Sequence, residues 1–274
     1  MLLRGGGDLA TGVALRLHRA GVKLVIAELA QPLAVRRTVS FAEAVYDGHH
    51  IVEGVTARRI EREQLSAVFD SDEIPILVDP NADILNHFNF LVVVDARLTK
   101  QTPAPLPVNV PLHIALGPGF HAGRDCHAVV ETRRSHTLGR VYWNGTTQAD
   151  SGEPEGDRRR VLRAPSDGVI IGHVKIGNHL EEGQIIAVVS NQYPIISPFS
   201  GVLRGLIRPG LHVPKGLKIG DVDPRGDPTA CYLVSDKALA IGGGVLEAIL
   251  SREEIREKLW THSPPPPFTD EVLR

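Results

Sequence analysis

The amino-acid sequence predicts an α/β fold, with a parallel sheet in its first half, a duplicated β module behind it and a helix near the C-terminus. Short apolar runs without alternation, such as residues 91–94, are typical of strands that are covered on both faces. Helical patterns alternate with these runs, which favours a parallel sheet. A glycine-rich pattern that occurs twice between residues 164 and 221 indicates the β module.

The first predicted domain spans residues 1–150. Its first strand contains Leu2 and Leu3, and a glycine-rich turn leads into a helix that ends at Gly21. Further strands are expected at residues 23–28, 76–78, 91–94, 112–116, 128–132 and 140–143, with helical segments near residues 40–46, 62–69 and 82–88. Strands that alternate with helices in this way indicate a doubly wound sheet.

The glycine-rich turn reads Gly5-Gly6-Gly7-Asp8-Leu9-Ala10 and contains the pattern G-x-G-x-x-A. A strand lies before it, a helix after it, and Glu28 at the end of the next strand, which is the arrangement of a Rossmann-like nucleotide-binding domain. Glycines let the backbone approach a pyrophosphate, and the helix N-terminus supplies N–H groups. Glu28 could accept hydrogen bonds from a ribose. The alternatives are a tight turn without a ligand, and an Asp8 side chain that caps the helix and closes the phosphate site.

Other candidate residues follow from topology, because the crevice of a parallel sheet lies beyond the carboxyl ends of its strands. The candidate cofactor-binding residues are Gly5, Gly6, Gly7, Asp8, Ala10, Thr11, Gly12, Glu28, Asp79, Asp95, Gly117 and Gly119. Any one of the aspartates could instead cap a helix or turn. Arg36 and Arg37 are interpreted either as phosphate ligands or as a solvated pair.

The sequence nominates no catalytic residue and no metal site. It contains no G-x-S-x-G elbow and no Walker lysine. Cys126 and His127 are adjacent, but no second Cys/His pair stands at the spacing of a zinc site.

Composition excludes several classes of protein. The formal net charge is −2, which argues against a nucleic-acid or membrane partner that is recognised through the overall charge. Two cysteines do not form a secreted disulfide framework. No apolar run is long enough to cross a bilayer, and the N-terminus does not resemble a signal peptide. A cytoplasmic location is therefore expected, and oligomerisation is left open.

Residues 164–188 and 197–221 are one β unit written twice, since eight of the 25 aligned positions are identical. The second predicted domain, residues 161–225, resembles the biotinyl/lipoyl-type barrel-sandwich hybrid. A carrier of that type holds its cofactor on a lysine in the hairpin between the halves, and here the hairpin around Asn191 has none. Biotin and lipoate are therefore disfavoured. His179 and His212 occupy equivalent positions and are interpreted as exposed turn residues rather than ligands of a shared metal.

A polar linker is expected at residues 145–160. The third predicted segment, residues 230–262, contains a helix from about residue 237 to 260 that is expected to pack on the first domain, because its apolar positions need a partner surface. The proline-rich tail at residues 263–268 cannot be helical.

Several long motifs together resemble the YqeB family. They are Arg4-Gly-Gly-Gly-Asp-Leu-Ala-Thr-Gly-Val-Ala14 and the segments 36–48, 117–120, 203–210, 218–225 and 241–249. The resemblance covers residues 3 to about 259, with Ser135 standing where a glycine is expected before His136. It implies an accessory role in the maturation of selenium-dependent molybdenum hydroxylases, and kinship with the Rossmann-like part of xanthine dehydrogenase accessory factors. It assigns no catalytic residues.

Three hypotheses follow. In the first, the protein is an accessory protein that binds a dinucleotide-like ligand, with NAD(P) or a molybdopterin dinucleotide as candidates. Its partners would be a molybdenum hydroxylase apo-enzyme or cofactor-maturation proteins. In the second, it is an NAD(P)-dependent oxidoreductase, although no proton donor is evident. In the third, it is a non-enzymatic scaffold whose β module docks a partner.

Overall fold

The computed structural model describes residues 1–68, 71–152 and 156–259. These residues form two compact units. The α/β unit comprises Met1–Pro32, Phe41–Ser151 and the chain from Val234 onward. The β unit comprises Leu33–Ser40 and Gly152–Leu233.

The α/β unit is built on a mixed sheet of nine strands. They are β1 (Leu2–Arg4), β2 (Val25–Glu28), β3 (His49–Val52), β4 (Val55–Arg59), β5 (Ile74–Val78), β6 (Val92–Asp95), β7 (Leu112–Leu116), β8 (Ala128–Val130) and β9 (Val141–Tyr142). The order across the sheet is β3-β4-β5-β2-β1-β6-β7-β8-β9. Strands β4 to β8 run parallel, and β3 and β9 are antiparallel edges. The chain therefore reverses its direction of travel across the sheet at β1.

The central strands are buried on both faces. Every residue of β1, β6, β7 and β8 is buried, whereas β3 is mostly exposed. Apolar runs without alternation are what such strands require. The predicted α/β class with a large, mainly parallel sheet is confirmed.

Several helices are shorter than predicted. They are α1 (Asp8–Arg19), α2 (Ala44–Asp47), α3 (Leu65–Val68), α4 (Asp236–Leu250) and α5 (Glu253–Arg256). The three helical segments predicted between strands are present but short. A 3₁₀ turn at Phe41–Glu43 continues into α2, another at Arg62–Gln64 continues into α3, and a 3₁₀ helix alone forms at Asp83–Asn86. In the described structure, no helix connects β6 to β7 or β7 to β8. Helices this short depend on tertiary packing, because few backbone hydrogen bonds offset the cost of nucleation.

The predicted C-terminal helix is interrupted. Helix α4 ends at Leu250, and α5 begins at Glu253; Trp260 lies outside the described residues. Helix α4 begins where the Ser235 side chain accepts a hydrogen bond from the Ala238 N–H. It packs along α1 and also contacts β7, β8 and β9.

Glycines bring α1 and α4 together. A Cβ atom on Gly12 would lie 2.6 Å from the Cβ atom of Ala238, and one on Gly242 would lie 2.8 Å from the carbonyl oxygen of Gly12. Contacts this short leave room for a hydrogen atom alone. The two helix backbones can therefore approach only because these positions have no side chain.

The β unit consists of two four-stranded sheets. The first has the order β10 (Val161–Arg163), β17 (Lys218–Asp223), β15 (Gly201–Leu206) and β12 (His179–Leu180). The second has the order β14 (Tyr193–Ile196), β13 (Ile185–Val189), β11 (Gly168–Gly172) and β16 (His212–Val213). Apolar side chains from both sheets form one core.

Strand pairing in the β unit repeats with the sequence duplication. Gly168 pairs with Val213, and the equivalent Gly201 pairs with Leu180. The repeat fails in β15, where the register shifts between Leu203 and Gly205. The extra residue is Arg204. A bulge of this kind re-aims a side chain, and the Arg204 guanidinium donates hydrogen bonds to Asp221.

Candidate functional site

The glycine-rich turn joins β1 to α1 at the carboxyl edge of the sheet. Gly5 has φ +99°, which favours glycine, and its N–H donates to the Ala27 carbonyl. A Cβ atom on Gly6 would lie 3.0 Å from the backbone nitrogen of Ala42, whose N–H donates to the Gly6 carbonyl. At Gly7, the N-cap of α1, no described atom lies within 4 Å of where a Cβ would be. Gly7 is therefore where the turn is open to a ligand.

Residues that follow Gly7 support the turn from inside. Thr11 is fully buried, and its hydroxyl accepts a hydrogen bond from the Phe41 N–H and donates one to the Gly6 carbonyl. Ala10 is buried, and Gly12 faces α4. Asp8 was considered as a residue whose side chain caps α1. In the structure the N-cap is Gly7, and Asp8 is the first residue of the helix. A carboxylate there is favoured by the helix dipole.

Glu28 fastens the turn. One of its carboxylate oxygens accepts a 2.6 Å hydrogen bond from the Gly6 N–H, and the other accepts a 2.7 Å bond from the Leu29 N–H. Burial raises the pKa of this carboxyl, and the two backbone hydrogen bonds oppose that rise. A carboxylate can accept about four hydrogen bonds, so Glu28 retains capacity for a hydroxyl donor.

The two predicted aspartates have different roles. The Asp79 carboxylate accepts hydrogen bonds from the Asp83 and Ile84 N–H groups, 2.8 and 2.9 Å long, and so caps the 3₁₀ helix that follows. Asp95 is buried and forms ion pairs with Arg4 and Arg97. Neither carboxylate is thus an uncompensated charge at the edge of the sheet.

Arg4 and His113 were missed as site residues by sequence reasoning, because their neighbours come from other strands. Arg4 is buried at the end of β1, with one guanidinium nitrogen 3.4 Å from Asp95 and another 3.4 Å from the Pro80 carbonyl oxygen. Burial lowers the pKa of Arg4, and Asp95 opposes this. His113 lies buried on β7, and its Nε2 atom has no hydrogen-bond partner among the described residues.

His113 should make stability depend on pH. Burial lowers the pKa of His113 from 6.5 to about 4. The unfolded chain therefore binds a proton more tightly, and the folded state loses stability as the pH falls from about 6.5 towards 4. We expect the intact protein to lose about 2 kcal/mol more than His113→Leu between pH 7 and pH 5. Urea denaturation at both pH values measures this, and equal losses in the two proteins would contradict it.

Gly117 and Gly119 serve loop packing. They have φ +72° and +106°. A Cβ on Gly117 would lie 2.6 Å from the Thr132 hydroxyl oxygen, and one on Gly119 would lie 2.9 Å from the Gln101 carbonyl oxygen. Gly117 therefore lets the loop after β7 approach the chain after β8, and Gly119 lets it approach the loop after β6.

Arg36 and Arg37 are not the solvated pair that was one of the two alternatives for them, because both guanidinium groups donate to backbone carbonyl oxygens. They belong to the β unit. Arg36 donates to the Ala230 and Leu233 carbonyl oxygens, and Arg37 donates to the Leu206 carbonyl oxygen. These bonds fasten the segment Leu33–Ser40 to the β unit.

The described residues contain no group of three His, Cys, Asp or Glu side chains that could hold a metal ion. Burial raises the pKa of the Cys126 thiol to about 12, so it is not a reactive thiolate. His179 and His212 are exposed in strands of different sheets.

A groove of about 240 Å³ lies between β10 and β14, and this volume is smaller than that of usual ligand pockets. Of the helices described, none has the length and apolar character that a membrane span needs.

Comparison with known proteins gave one close relative. No family model matches the chain. The chain is 46% identical over 255 residues to an uncharacterized protein named YqeB from Escherichia coli strain K12. The match covers 91% of this chain and 47% of the relative, so the chain spans about half of the relative's length.

Similarity to solved structures is weak. An aspartoacylase family protein from Mesorhizobium loti is 15% identical, with 26% of this chain and 27% of that chain covered and a TM-score of 0.22. The apo ectoine utilization protein EutE from Ruegeria pomeroyi is 13% identical, with 81% and 85% covered and a TM-score of 0.26. Neither similarity supports an argument about fold or function. The sequence match is the stronger similarity, and it relates 255 residues of this chain to about half of the Escherichia coli protein.

Proposed function

We propose that the α/β unit binds a dinucleotide-like ligand at the carboxyl edge of its sheet, with the ligand's phosphates at the N-terminus of α1. The observation that carries this proposal is the open space at Gly7, beside a turn that Glu28 holds in place. The helix N-terminus offers N–H donors and a positive dipole end to phosphate. Glu28 has remaining acceptor capacity for a ribose hydroxyl.

The order of the strands supports a Rossmann-like interpretation. The core order β5-β2-β1-β6-β7-β8 reverses at β1, and ligands of open α/β sheets bind where the strand order reverses. The candidate ligands are NAD(P) and a molybdopterin dinucleotide.

An accessory role in the maturation of a molybdenum hydroxylase is the biological setting that we propose. It rests on the motifs that resemble the YqeB family and on the match to the Escherichia coli protein YqeB, which is itself uncharacterized. The partner would be the hydroxylase apo-enzyme or a cofactor-maturation protein. The β unit, which we interpret as a biotinyl/lipoyl-like module without a carrier lysine, would serve to dock that partner.

The substitution Gly7→Val tests the ligand site. Its side chain would enter the open space where phosphate should lie, and the backbone at Gly7 has φ −65°, which valine can adopt. We expect the variant to bind at least tenfold more weakly than the intact protein, with little change in unfolding. Isothermal titration calorimetry with NAD(H), NADP(H) and CDP measures the binding.

Gly243→Ala is the matched control, because Gly243 is exposed on α4 and the added carbon would meet nothing within 4 Å beyond its chain neighbours and the backbone of its own helix. It should bind like the intact protein. If none of these nucleotides binds the intact protein, or if Gly7→Val binds as tightly, the proposed site is wrong.

A further inference from the structure

The loop between β8 and β9, residues 131–140, lies at the same edge of the sheet as the glycine-rich turn. Glu131 holds it in shape, since its fully buried carboxylate accepts 2.8 Å hydrogen bonds from the N–H groups of Arg133 and Gln148. The Gly139 N–H also donates to the Glu131 carbonyl oxygen, and the Glu131 N–H donates to the Arg140 carbonyl oxygen. These hydrogen bonds therefore fix the backbone of the loop.

Cationic side chains dominate the outer surface of this loop. Arg133, Arg134 and Arg140 are all exposed. The Arg134 guanidinium is balanced by a two-point ion pair with Asp236, at 2.6 and 2.7 Å. Within the described part of the chain, Arg133 and Arg140 form no ion pair, and the Arg140 guanidinium donates a single hydrogen bond, to the His136 carbonyl oxygen. Glu131 cannot balance them, because its carboxylate is buried and bonded to backbone N–H groups.

Charge is therefore distributed unevenly along the carboxyl edge of the sheet. Glu28 follows β2, and the carboxylates of Asp79 and Asp95, after β5 and β6, lie near the cations of Arg4 and Arg97. The loop at the end of β8 carries the two unbalanced guanidinium groups. Three strand spacings separate β1 from β8, which is roughly 14 Å. A mononucleotide at the glycine turn would not reach the loop, whereas a dinucleotide laid along the edge would approach it.

We infer that the ligand of this site is anionic at its far end, and that Arg133 and Arg140 recognise that end. This inference rests on the proposed function, and it narrows the ligand to dinucleotide-type molecules whose second half carries a negative group. Oxidised NAD is a poorer fit, since its nicotinamide ring is cationic. The two arginines would set specificity, whereas the glycine turn would bind the phosphates of either kind of ligand.

Two probes isolate the distal charge. NAD⁺ and nicotinic acid adenine dinucleotide share every group except one, a carboxamide in the first and a carboxylate in the second. We expect the intact protein to bind the carboxylate form about fivefold more tightly, as is typical of an exposed ion pair at low salt. In Arg133→Gln/Arg140→Gln, the two probes should bind equally. Arg134→Gln, whose charge Asp236 already balances, should keep the preference. Titration calorimetry at low and high salt measures all three proteins.

The outcomes separate this inference from the proposed function. If both probes bind the intact protein equally and Gly7→Val weakens both, the site exists but the distal charge is not recognised, which overturns the inference alone. A preference that persists in the double variant also overturns it. If neither probe binds, the site and the inference fall together.

Discussion

Asp221→Ala should destabilise the β unit by about 3 kcal/mol, because it removes a buried carboxylate that pairs with two mostly buried arginines. Asp221 is 1% exposed on β17 and accepts hydrogen bonds from two arginines. Arg160 donates to it across 3.1 Å, and Arg204 donates through two guanidinium nitrogens. Both arginine side chains are themselves mostly buried. Removing the carboxylate therefore takes a buried ion pair from each arginine, although Arg204 keeps an ion pair with Asp223 at 3.5 Å.

Hydrogen–deuterium exchange under native conditions is a suitable measurement, because it reports the opening of β15 and β17 without requiring two-state unfolding of a two-unit chain. Asp221→Asn should lose less stability than Asp221→Ala, since the asparagine amide oxygen still accepts a hydrogen bond. The control is Glu73→Ala, which removes an ion pair with Arg58 at the surface and should cost less than about 1 kcal/mol. Equal protection in Asp221→Ala and the intact protein would show that this network does not stabilise the unit.

Gly12→Ala should destabilise the α/β unit by about 1–3 kcal/mol, although alanine is the better helix former. The added carbon would lie 2.6 Å from the Ala238 Cβ atom and 2.7 Å from the Ala238 carbonyl carbon, so α1 and α4 must move apart. Gly243→Ala is the matched substitution on α4. It gains the same helix propensity without a contact, and should stabilise the protein by up to about 1 kcal/mol.

Urea denaturation followed by tryptophan fluorescence measures the free energy of unfolding of both variants, because Trp143 lies in the α/β unit. The difference between the two variants is informative, since the helix-propensity gain cancels. If Gly12→Ala is as stable as Gly243→Ala, close packing of α1 on α4 is not what requires glycine at position 12. Gly12 would then have to be reconsidered as a residue that serves the ligand site.

The Gly5–Gly7 turn shows how far sequence reasoning reached in the candidate site. The pattern predicted a strand, a turn and a helix in that order, and all three are present. It treated the glycines as equivalent, whereas the structure gives them different roles. Gly5 is required by its backbone conformation, Gly6 by the approach of Ala42, and Gly7 by neither. The segment that covers Gly6 is distant in the sequence, so no local pattern could reveal it.

The sequence by itself determined the α/β class, the glycine-rich turn and the duplicated β module, because apolar runs, turn glycines and repeats act over a few residues. Tertiary structure decided which charges meet. The ion pair of Arg4 with Asp95, the bulge that turns Arg204 to Asp221, and the packing of α4 on α1 join residues far apart in the chain. It also decided that the helical segments between strands stay short, because a short amphipathic segment becomes helical only when packing offsets the cost of nucleation.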